Sequence, residues 1–66
     1  MHPYAQSSIA AAQRELANCI ESLKSATTAN GQQAWGHVAM ALTHAVVAAA
    51  QLDDAVTVDG MMKEDA

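Results

Sequence analysis

The sequence predicts an all-α protein: an antiparallel two-helix hairpin, completed as a four-helix bundle by dimerisation or by a helical partner. Three observations lead there. Two stretches repeat apolar residues at alternating spacings of three and four, the period of one face of an α-helix. Only Thr27-Thr28-Ala29-Asn30-Gly31 separates them, a connection so short that the two helices must run antiparallel as neighbours. The second stretch is apolar around most of its circumference, and one companion helix leaves much of that surface uncovered.

The first helix is expected over about residues 4–27. Pro3 suits the first turn, where its missing N–H is not needed, and Ser7 and Ser8 offer an alternative N-cap. Ile9, Ala12, Leu16, Cys19, Leu23 and Ala26 form a narrow apolar seam widened by Ile20. The far side carries Ser7, Arg14, Asn18, Glu21, Ser22 and Ser25 and is expected to face water. The turn, about residues 28–31, combines β-branched residues with Asn-Gly, both poor in a helix interior. Gly31 is a candidate left-handed cap for the first helix.

The second helix is expected over about residues 31–52. Trp35, Val38, Leu42, Ala45, Ala49 and Leu52 fall in one seam, with Trp35 read as the core plug beside the turn. The hairpin then zips Ile9, Leu16, Cys19 and Leu23 against this seam. Ala39, Met40, Val46, Val47 and Ala50 remain as an exposed apolar stripe, and a monomer rarely leaves such a patch open. His37, His44 and Gln51 form the one polar strip. After Leu52 the composition shifts, and residues 53–66 are read as an acidic, mobile tail. The hairpin domain is accordingly residues 1–52.

Charge and chemistry narrow the function. Three Lys/Arg stand against seven Asp/Glu, for a net charge of −4. Arg14 and Lys24 balance Glu15 and Glu21, so the excess lies after Leu52. Such a chain has no electrostatic footprint for nucleic acid and no basic face for an anionic membrane. The central apolar stretch, interrupted by His37, Thr43 and His44, is too short and too rich in alanine to span a bilayer. The first residues lack the pattern of a secretory signal. Cys19 is the only cysteine, which fits a reducing compartment, and a cytoplasmic location is expected.

His37 and His44 lie about 10 Å apart along a helix, too far for one helix to chelate one ion with both. No HExxH, CxxC or phosphate-binding glycine loop is present. No catalytic residue, metal ligand or cofactor is assigned, and the chain is read as a non-enzyme.

Leu16-Ala17-Asn18-Cys19-Ile20-Glu21-Ser22-Leu23-Lys24, then Gly31-Gln32-Gln33, then Ala41-Leu42-Thr43-His44-Ala45-Val46 resemble the small co-chaperones of type III secretion needle proteins, the YscE/PscE group. The likeness spans about half the chain. It implies a bacterial helical hairpin that binds a tetratricopeptide-type partner and helps hold the needle subunit before export. It also implies that Leu42, Ala45, Val46 and Ala49 lie at or beside the partner surface. With the stripe, the expected partner interface is Ala39, Met40, Leu42, Ala45, Val46, Val47, Ala49 and Ala50, facing a second copy, a helical protein, or both. The alternative is a small homodimeric inhibitor or immunity-type regulator, phage or plasmid encoded, that blocks a target protein.

Overall fold

The computed structural model describes the backbone of residues 1–65 and the side chains of residues 1–60. Two helices, α1 (Pro3–Thr28) and α2 (Gln32–Asp65), pack against each other as an antiparallel hairpin. The molecule is a rod of 54 × 13 × 10 Å, and the described residues form one layer of two helices.

Each terminus of the hairpin has a local cause. Pro3 opens α1, and the His2 Nδ1 accepts a hydrogen bond from the Tyr4 N–H at 3.1 Å. His2 therefore caps the helix, and the serines at 7 and 8 lie inside it. At the other end the Ala29 N–H donates to the Ser25 carbonyl at 3.0 Å, with Ala29 itself already extended. The Thr27 and Thr28 hydroxyls donate back to the carbonyls of Lys24 and Ser25, so both side chains find their partners within the last turn. Gly31 has φ 59°, a conformation that glycine adopts without a Cβ penalty. It lies beyond the C-cap of α1, and its carbonyl accepts from the Ala34 N–H at 3.2 Å. Gly31 thus turns the chain into α2 rather than capping α1 as expected.

The packed seam differs from the expected one. The buried apolar residues are Ala5 and Ala12 on α1 and Ala41, Ala48 and Ala55 on α2, none more than 5% exposed. Cys19, Ala26 and Ala34, half-buried, continue the same two rows at intervals of seven. Seven residues make almost two helical turns, so each row runs straight along its helix. Small side chains along both rows, alanine at every position but Cys19, let the backbones approach closely.

The large residues assigned to the seam are displaced outward. Trp35 is 73% exposed and Leu42 63%, and Leu16, Leu23 and Leu52 are each more than two-fifths exposed. Trp35 is not a core plug, because a ring of that size does not fit between helices spaced by alanine. Ser22, expected to face water, is instead buried.

The second helix also runs past Leu52, through the segment read as a tail, to Asp65. The reason lies in α1. An antiparallel partner of a 26-residue helix that stopped at Leu52 would leave the first turns of α1 uncovered. Ala55 continues the alanine row and is buried, and Leu52, Ala55 and Val56 border a groove with Ile9 and Met1.

Candidate interaction face

The alanine rows divide the hairpin into two flanks. On each helix the residue three after a row alanine lies to one side, and the residue four after it to the other. The first flank is polar: Ser8, Glu15 and Ser22 on α1, His37, His44 and Gln51 on α2. The second is apolar: Ile9, Leu16 and Leu23 on α1, Val38, Ala45 and Leu52 on α2. Antiparallel packing brings like flanks to the same side, so the molecule has one polar side and one apolar side.

The polar side sets the register. Glu15 Oε2 and His44 Nδ1 lie 2.6 Å apart across the hairpin, and both side chains keep a little over a quarter of their surface. The same register places Ser22 level with His37, and Ser8 level with Gln51. The strip of His37, His44 and Gln51 therefore borders α1 instead of lying apart from it. Gln51 Oε1 is buried without a hydrogen-bond partner. One such acceptor costs on the order of 1–3 kcal/mol, which makes the Gln51 end the weaker part of this side. A double-mutant cycle between Glu15→Gln and His44→Ala, read by urea unfolding, is expected to give a coupling of about 1 kcal/mol. Additive losses would show that the two groups do not depend on each other.

The apolar side is broader. Two grooves run along it between the helices. One is lined by Cys19, Leu23, Val38, Ala41, Leu42 and Ala45, the other by Leu23, Ala26, Thr27, Ala34, Trp35 and Val38. A third lies at the open end, between Ile9 and Val56. Ile20 (54% exposed) and Val56 (71%) extend the face outward on α1 and α2. Both helices thus contribute to the face, α2 the larger share, whereas the sequence reading drew it from α2 alone.

The expected interface residues fall in several places. Leu42, Ala45 and Ala49 lie on the apolar side, with Val46 at its rim. Ala39, seven residues before Val46, shares that rim, and Ala50 sits on the back of α2, away from α1. Met40 and Val47 project beside the polar side, one helical position before the alanine row. Except for half-buried Ala45, all eight are exposed. The residues that sequence reasoning left out of the face are Leu16, Ile20, Leu23, Trp35, Leu52 and Val56. The signal that would have found them is the seven-residue recurrence of small side chains at 5, 12, 19 and 26 and at 34, 41, 48 and 55. That recurrence claims the seam for alanine and turns the larger residues outward.

Compared with protein-family models, with curated proteins and with solved structures, the chain finds no match in any of the three.

Among the described residues no three His, Cys, Asp or Glu side chains are grouped as a metal site, and no helix is long and apolar enough to cross a membrane. The two sides offer different chemistry. The polar side is a narrow, internally bonded strip. The apolar side is an open surface of branched and aromatic side chains without a charged group at its centre.

Proposed function

We propose that this protein is a non-enzymatic interaction module whose apolar side docks against helices of a partner, forming a four-helix arrangement. The observation that carries the reading is the exposed face to which both helices contribute, with Leu16, Ile20, Leu23, Trp35, Leu42, Leu52 and Val56 all turned to the same side. Burial of such surface yields about 25 cal/mol per Å², and an open patch of this extent on a soluble protein marks an association site. Two helices in one layer supply the grooves into which another pair of helices packs by ridges and grooves. The co-chaperone form of this proposal, with a tetratricopeptide-type partner, rests on the sequence resemblance alone.

The test uses the full chain and an apolar dye, anilinonaphthalene sulfonate, which binds exposed hydrophobic surface. The chain is expected either to sediment as more than one protomer, or to remain single and bind the dye at this face. Leu16→Gln together with Leu42→Gln is expected to abolish whichever signal is present while helical circular dichroism persists. A single helical protomer that binds no dye would remove the reading.

A further inference from the structure

We infer that the first occupant of the apolar side is a second copy of this chain, packed face to face with it; this rests on the apolar side being a docking surface at all. The area supports that choice. A compact folded chain of 6.9 kDa exposes about 4,000 Å², whereas this one exposes 4744 Å². The surplus, about 750 Å² by that scaling, matches the roughly 800 Å² that each partner contributes to a stable interface of standard size.

Charge and length agree. By helical position, Lys24 lies at the edge of α1 toward the turn and Asp53 at the edge of α2 toward the open end, while Asp59, seven residues after Leu52, lines the open-end groove with Met1 and Ile9. All three lie toward the ends of the face, and neither helix carries a charge down its middle. Two copies therefore cover the middle of the face without burying a charge there. A rod 54 Å long needs a cover of similar length, and a second copy brings the same length and the same apolar run. The symmetric pair has two layers of two helices, the arrangement that a single hairpin lacks.

Sedimentation equilibrium of the full chain across the micromolar to millimolar range tests this. The expected mass is twice 6.9 kDa, falling toward one protomer on dilution. Leu42→Glu is expected to weaken association at least 100-fold, and Val47→Glu, on the other side of α2, to change it less than threefold. If Leu42→Glu unfolds, the concentration dependence of the wild-type mass and of its Trp35 emission still decides the matter. A helical wild-type chain that stays single at every concentration overturns the second copy. If that single chain binds the dye, docking itself survives; if it does not, both fail. A dimer that survives Leu42→Glu but is lost with Val47→Glu also overturns the proposed face.

Discussion

Replacing Ala48 with leucine is expected to destabilise the protein by about 3 kcal/mol, at the upper end of what overpacking costs. Ala48 is 1% exposed and sits in the alanine row that α2 packs against α1. Leucine adds three carbons there, and what they meet is the facing helix itself rather than a mobile side chain. The helices must separate along their length, which also pulls the Glu15–His44 pair beyond its 2.6 Å. A chain of this size has only about 3–5 kcal/mol to lose, so much of the population is expected to unfold at room temperature.

Ala50→Leu is the control. It makes the same chemical change two residues away, on the exposed back of α2, and leucine is nearly as good a helix former as alanine. Its cost is expected to be below about 0.5 kcal/mol. Urea unfolding followed by circular dichroism, at equal protein concentration, compares the two. Equal midpoints would mean that alanine does not form the seam, and that the leucines and Trp35 close on each other instead.

The second large effect concerns the segment after Leu52. A chain ended at Leu52 is expected to lose about 2–3 kcal/mol. The loss combines the buried methyls of Ala5 and Ala55, at about 0.8 kcal/mol each, with part of the cover over Ile9 from Val56. It is expected to reach across the hairpin: the helical signal drops by more than the removed residues account for, because the first two turns of α1 fray as well. Hydrogen exchange would show this as faster exchange of amides around Ile9. Were residues 53–66 only an acidic tail, the truncated chain would keep its melting temperature and its exchange pattern.

The helical class, the antiparallel turn and the start of α1 at Pro3 were legible because each rests on a local signal: periodicity, an Asn-Gly break, a proline at a first turn. The packed faces were not. Leu, Ile and Trp at spacings of three and four look like a seam, and between two helices in isolation such a reading favours the larger side chains. What decides is the competition between rows. A continuous row of small residues lets the backbones close, and once they are close no large residue fits between them. The end of α2 was misplaced for a related reason. Asp53 and Asp54 read as a helix stop because acids oppose the dipole at a C-terminus, yet both sit exposed mid-helix. Ala55, two residues later, keeps α2 against α1. Ser22 and the Glu15–His44 pair were invisible for want of a register, which only the fold supplies.

The division of labour between small and large residues bears on how such a chain changes over time. Its shape depends on the alanine rows, whereas the proposed docking surface is made of leucines, isoleucine and tryptophan that contribute little to that shape. Drift or selection is therefore free to rewrite the outward side chains on an unaltered scaffold. Among descendants of this chain the alanines at every seventh position should be the slowest to vary, and the leucines should change in step with whatever they meet.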